Sequence, residues 1–204
     1  MIDNEILHIA KGVWATAASE LQRLQDYAAN DQFMKVVHLL ANCKGRVMVS
    51  GVGTSGVAAR KFAHSLCCIE VPALYLNPAD AIHGALGVVQ ADDVVFLISK
   101  GGGTKELVQL LPALHTKKVN IVAITEQTDS PLARGSDYTL TVRVKKEADP
   151  FNLLATTSTL AVIGLCDAIC ISVMTITGYT EEQFAVIHPG GAVGEKLEQS
   201  LSRR

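Results

Sequence analysis

Apolar residues recur at helical spacing from residue 3 to residue 29, at Ile6, Ile9, Val13, Ala17, Leu21, Leu24 and Ala28, with charged and amide side chains between them. The spacing predicts one long amphipathic helix. Asn30-Asp31 interrupts it, and Phe33, Val36, Val37 and Leu40 predict a shorter second one. After Gly45 the pattern changes to short apolar runs that read as strands. These are Val47-Met48-Val49, Ala73-Leu74-Tyr75, Val94 to Ile98, Asn120 to Ile124 and Tyr138 to Val142. Helical stretches separate them, one of them running through His115. A long helix is predicted from about Asn152 to Thr177 and a short one from Thr180 to Ile187, ahead of His188-Pro189-Gly190-Gly191.

Strands of four to six residues alternating with helices predict a parallel, doubly wound α/β sheet. Right-handed crossovers bring the loops that follow the strands to one edge of such a sheet. Composition agrees: 49% of the 204 residues are apolar and only 5% aromatic, a mixture suited to strands buried on both faces. Nothing in the pattern demands a second domain. The expectation is therefore a single domain over 1–204, with N-terminal helices over 1–44 and a ligand-binding core over 45–197.

Charge and cysteine content narrow the function. With 18 basic and 20 acidic residues, net −2, and no long block of one sign, nucleic acid is not an expected partner. The five cysteines pair unevenly and lack a second His/Cys pair at zinc spacing, so reduced and mostly buried thiols are expected, with no metal. The N-terminus carries no basic-then-apolar signal pattern, and the apolar stretch Leu160 to Ile176 is interrupted by Asp167, Ser and Thr. A soluble, cytoplasmic chain without a membrane partner is expected.

Ligands bind such sheets at the carboxyl ends of the strands, where strand order reverses. Two loops there are rich in Gly, Ser and Thr. GVGTSG follows the first strand, and its glycines let backbone amides approach an anion at a helix N-terminus. SKGGGT holds the equivalent place after the third strand. Gly53, Thr54, Ser55, Ser99, Lys100, Gly102 and Thr104 are thus candidate phosphate or substrate ligands, although Ser55 and Thr104 also suit ordinary helix caps. GVGTSG also satisfies GxGxxG, but the second strand ends in Tyr75-Leu76-Asn77 without the acid that a dinucleotide ribose requires.

The segments GVGTSG, NPADAIHGALG, SKGGGTKE, DSPLA, EADPFNLLATTST and HPGGAVGEKL, in this order from Gly51 to Leu197, resemble the sugar isomerase (SIS) domain family. Within it they are most similar to the arabinose 5-phosphate isomerases. The resemblance implies a five-stranded parallel sheet flanked by helices, a three-layer, flavodoxin-like sandwich. It implies a sugar phosphate as ligand, no cofactor, and a homodimer or homotetramer in which each site borrows residues from a neighbour. Many relatives continue into two CBS modules, and a chain stopping at Arg204 is expected to lack that regulatory part.

Carried over by position, the family's catalytic-site residues fall on Thr54, Glu106, Glu147 and His188. The last three match in type, whereas Thr54 stands where the family motif has lysine. Gly101 and Gly103 replace a serine and a glutamate, Ala85 an acid, and Asp149 a cysteine. His188, in a turn before Pro-Gly-Gly, is expected to act as base or proton shuttle. Glu106 or Glu147 would share the proton work, and each also has a plainer reading, Glu106 as a helix N-terminal charge and Glu147 as a surface acid. His83 is expected to orient substrate or open the sugar ring. Thr156, Thr157 and Ser158 line the site or cap the long helix. Lys100 is the nearby cation able to offset the missing lysine. An aldose–ketose isomerase acting on arabinose 5-phosphate is the expected function. A sugar-phosphate sensor without catalysis, or an isomerase of hexulose or heptose phosphates, is the alternative.

Overall fold

The computed structural model describes residues 2–191 and 194–195. Two helices, α1 (Ile2–Tyr27) and α2 (Asp31–Ala41), lead into β1 (Val47–Gly51) and α3 (Thr54–Cys67). There follow β2 (Ala73–Tyr75), α4 (Pro78–Ala81), a 3-10 turn (Ala85–Val88), β3 (Val94–Ile98), α5 (Lys105–Val108) and α6 (Leu111–Lys117). The chain continues through β4 (Asn120–Thr125), α7 (Pro131–Arg134), β5 (Tyr138–Thr141), α8 (Thr157–Thr177) and α9 (Glu181–Ile187). The five strands are all parallel in the order β2-β1-β3-β4-β5.

The strand side chains alternate between two cores, as period-two geometry requires. Val47, Val49, Val94, Phe96, Ile98, Val122 and Ile124 pack beneath α2, α3 and α8. Met48, Val95, Leu97, Ile121 and Ala123 face the opposite layer, which contains Leu107, Leu114 and Leu132. Helices therefore cover both faces, giving the three-layer sandwich. Phe62 of α3 meets Phe96 of β3 edge-to-face with centroids 5.1 Å apart, and both rings are fully buried. Truncating Phe62 to Ala would cost about 3–5 kcal/mol.

The first helix divides in two. Leu24 and Tyr27 pack on the core, and the Tyr27 hydroxyl donates to the Arg143 carbonyl at 2.7 Å and accepts from the Arg143 amide at 2.9 Å. Ile2, Ile6, Ile9 and Trp14 continue the same helix but lie exposed. Helix α8 is the one described helix long and apolar enough to cross a membrane, and it packs against α3, α1 and α2.

Three sequence expectations need correction. The helix expected to run through His115 is two, because the chain breaks at Gln109-Leu110 ahead of Pro112, whose ring nitrogen donates no hydrogen bond. The long helix starts at Thr157, not near Asn152. Asn152 has a φ of 57°, and the Asp149 carboxylate gathers the amides of Phe151, Leu153 and Leu154 into a non-helical turn. Of the five free thiols only Cys166 and Cys170 are buried; burial pushes Cys166 well up and Cys170 to about 12.

Candidate active site

The register aligns Gly51, Ile98 and Ile124 across the centre of the sheet. The chain leaves β1 toward α3 on one face and leaves β3 toward α5 on the other. A crevice opens where they part. Gly53, with φ 59° and ψ −130°, turns the chain from β1 into α3 in a conformation that favours glycine. The expected Thr54 and Ser55 follow as the first two residues of α3. Neither is a helix cap, since Gly53 holds that position without a side-chain bond.

The Ser99–Thr104 loop is tied internally. The Ser99 hydroxyl lies 2.7 Å from that of Thr104 and accepts from the Gly102 amide at 3.1 Å. Ser99 is buried, so its hydroxyl shapes the loop from beneath. Gly102 has a φ of 65°, and a Cβ there would lie 2.0 Å from the Ser130 hydroxyl oxygen. By contrast, a Cβ on Gly101 or Gly103 would meet open space. The loop thus presents bare backbone outward while its middle glycine is clamped against α7.

Lys100 is fixed at both ends. Its carbonyl accepts from the Glu126 amide at 2.9 Å and the Thr125 hydroxyl at 3.0 Å. Its ammonium donates to Glu147 Oε1 at 2.7 Å. Glu147 is only 1% exposed. Its other oxygen accepts from the amides of Thr156 and Ser158 at 3.0 and 3.1 Å and from the Thr156 hydroxyl at 3.3 Å. The carboxylate therefore caps α8, where the helix macrodipole also favours negative charge. Burial alone would raise the Glu147 carboxyl, but the hydrogen bonds from Lys100 and Ser158 and the lysine charge outweigh it and hold the group down to about 2.

Two clefts flank the first loop. Thr54, Ser55, Lys100, Thr125, Glu126 and Ser158 line one of them. Gly53, Arg60, Tyr75, Asn77 and Glu106 line the other. Arg60 lies over the Tyr75 ring, 4.7 Å from its centroid, and the Tyr75 hydroxyl donates to the Gly51 carbonyl at 2.9 Å. The structure thus brings Gly53, Thr54, Ser55, Lys100 and Glu106 to the two clefts, whereas Glu147 is buried behind Lys100 and lines neither.

Two expected residues stand apart. His83 is exposed in the turn after α4 and lines neither cleft. His188 follows α9, with Nδ1 3.0 Å from the Phe184 carbonyl and its ring stacked on Phe184 at 3.8 Å. Gln183 of α9 donates to Glu70, which precedes β2 and so lies toward the opposite edge of the sheet. Among the described residues no cluster of His, Cys, Asp and Glu is arranged to hold a metal. Thr125, Glu126, Arg60 and Tyr75 escape the sequence reading. The first two directly end an apolar strand, as Ser99-Lys100 do, and that position could have revealed them.

Comparison with known proteins resolves the family. The SIS domain profile matches residues 39–172. The chain belongs to the SIS domain family. It is 36% identical over 196 residues to the arabinose 5-phosphate isomerase GutQ of Salmonella typhi, covering 96% of this chain and 61% of that protein. It is 40% identical over 167 residues to the arabinose 5-phosphate isomerase KdsD of Pseudomonas aeruginosa, covering 82% and 51%. The SIS chain thus spans between half and two thirds of these curated relatives. Among solved structures, a candidate sugar-phosphate isomerase from Listeria monocytogenes superimposes with a TM-score of 0.91 at 47% identity, over 93% of this chain and all of that one. The c3406 protein of E. coli CFT073, solved in complex with arabinose 5-phosphate, gives a TM-score of 0.89 at 30% identity over 93% of this chain and 100% of the other.

Proposed function

We propose that this SIS domain interconverts an aldose phosphate and a ketose phosphate, with arabinose 5-phosphate and ribulose 5-phosphate as the pair. The supporting observation is the crevice at the β1/β3 switch point. It joins two glycine-rich loops, the N-termini of α3 and α8 and a lysine that lines the first cleft. The likeness to arabinose 5-phosphate isomerases and to a structure holding arabinose 5-phosphate supports the choice of substrate.

In this reading the phosphate rests on the bare amides around Gly101 and Gly103 and on the hydroxyls of Ser55 and Thr104. Isomerisation then needs a base at carbon and a group to move protons between the oxygens. A base takes the proton from C2, and the C–H electrons form the C1–C2 double bond while O1 gains the charge. Proton return to C1 and passage of the O2 proton to O1 complete the ketose, with no oxidant or cofactor. Glu106, half-buried in the second cleft, is the base. His188 serves as the proton shuttle from a neighbouring copy in a homodimer or homotetramer. The unpartnered apolar side chains of Ile6, Ile9 and Trp14 favour that self-association. His83 orients the sugar, and the cytoplasm is the compartment.

The test is NMR in heavy water with arabinose 5-phosphate and ribulose 5-phosphate. Interconversion with deuterium incorporation at C1 or C2, abolished in His188→Ala, is the expected result. Binding of both sugars without exchange would replace the enzyme by a sugar-phosphate sensor. Neither exchange nor binding would move the substrate to six- or seven-carbon phosphates.

A further inference from the structure

The cleft above β3 and β4 contains one cation among its described lining residues, Lys100, and one other charged residue, Glu126. A lysine side chain is normally a mobile, strongly hydrated point charge, and holding one still has an entropic cost. Here the cost is met twice. Backbone bonds to Thr125 and Glu126 fix the start of the side chain, and Glu147 holds its end. Glu147 is itself immobile, because its second oxygen is saturated by the first turn of α8 and its amide donates to Asn152 Oδ1 at 2.7 Å. An ammonium has three donors. One is spent on Glu147, and the lysine side chain remains 47% exposed toward the cleft, so two donors are available to a ligand.

A carboxylate with these surroundings is a poor base. Both of its oxygens are occupied, it is nearly inaccessible to solvent, and its proton affinity is low. Its partner is well suited to electrostatic catalysis, which depends on donors aimed in advance at the atom where charge develops. The geometry points to Lys100 as the cation that stabilises the enediolate oxygen and to Glu147 as the positioning residue that aims it. This assignment rests on the isomerase reading above. It leaves carbon deprotonation to Glu106 and gives the lysine a purpose distinct from phosphate binding. The atom balance is unchanged: Lys100 donates a hydrogen bond to O1 as charge gathers there and gives up no proton overall.

The experiment compares the native chain with Lys100→Met, Lys100→Arg, Glu147→Gln and the double variant K100M/E147Q. It measures kcat and KM for arabinose 5-phosphate and the Kd of inorganic phosphate. K100M is expected to lower kcat by about 10²–10³-fold with phosphate affinity retained, and K100R to recover part of the loss. E147Q should lower kcat by a smaller factor. The acid limb of its pH–rate profile should stay in place, because Glu147 is already ionised across that range. The double variant should match K100M within about twofold, since the two residues act as one unit. Loss confined to KM and phosphate Kd in K100M would overturn the assignment, as would an E147Q loss that multiplies on the K100M background. If E147Q disturbs folding, K100M and K100R decide alone. An inactive native chain would instead overturn the isomerase reading, and this assignment with it.

Discussion

Glu106 and Glu147 are the same residue type at the same edge of the same sheet, yet their surroundings separate them. Glu106 stands in the first turn of a four-residue helix, half-buried, facing a cleft that also contains Arg60 and Tyr75. Glu147 is enclosed, paired with Lys100 and saturated by the N-terminus of a 21-residue helix. A free carboxylate can exchange protons, whereas a saturated one holds other groups in place. The chemical role follows from what occupies the oxygen lone pairs, not from residue type.

The largest effect that can test this contrast is on turnover. Glu106→Gln is expected to lower the rate of C1 or C2 deuterium exchange by about 10²–10⁴-fold while leaving the thermal midpoint near that of the native chain. If exchange persists, the proton work does not belong to the more open carboxylate. The reverse pattern is expected at the other site. Glu147→Ala strands the α8 amides and the lysine, and should lower unfolding stability by about 2–3 kcal/mol in urea titration. The loss stays below that of a fully buried pair because Lys100 can still reach water.

Acid unfolding sharpens the comparison further. The Glu147 carboxyl is held at about 2 in the fold against an ordinary 4.5. Its contribution is therefore fully present above about pH 4.5 and is lost as pH falls toward 2. Stability measured across that window should fall less steeply in Glu147→Gln than in the native chain. The smallest expected effect concerns the loop that carries Lys100. Gly102→Ala forces a Cβ against Ser130 in a left-handed backbone conformation, and should cost about 1–2 kcal/mol. Gly101→Ala meets open space and should stay within about 0.5 kcal/mol. Equal costs at the two positions would mean that the clamp on Gly102 does not hold the loop.

Much of the fold is legible along the chain because its signals are local. The change from helical spacing to short apolar runs at Gly45 marks the passage from α1 and α2 to the sheet. All five expected strands form in the expected places. The runs stopped by GVGTSG and SKGGGT locate the two glycine-rich loops at the crevice for the same reason. Element boundaries shift where a side chain overrides the pattern. The start of α8 is decided by Asp149 and Glu147, whose carboxylates gather amides from residues as far as eleven positions along the chain.

The order of residues by itself determined the α/β class, the loops that meet at the crevice and the types of group available there, because periodicity and turn chemistry act over a few neighbouring residues. Only the tertiary structure decided that Lys100 and Glu147, 47 positions apart, bond to each other. It also decided that Ser99 is spent inside its own loop and that Glu106 faces a cleft while Glu147 is enclosed. It set His188 apart from both clefts within one chain. Such pairings depend on which strands lie side by side and on how far each helix end reaches. Both are settled by packing two cores onto one twisted sheet rather than by local preference.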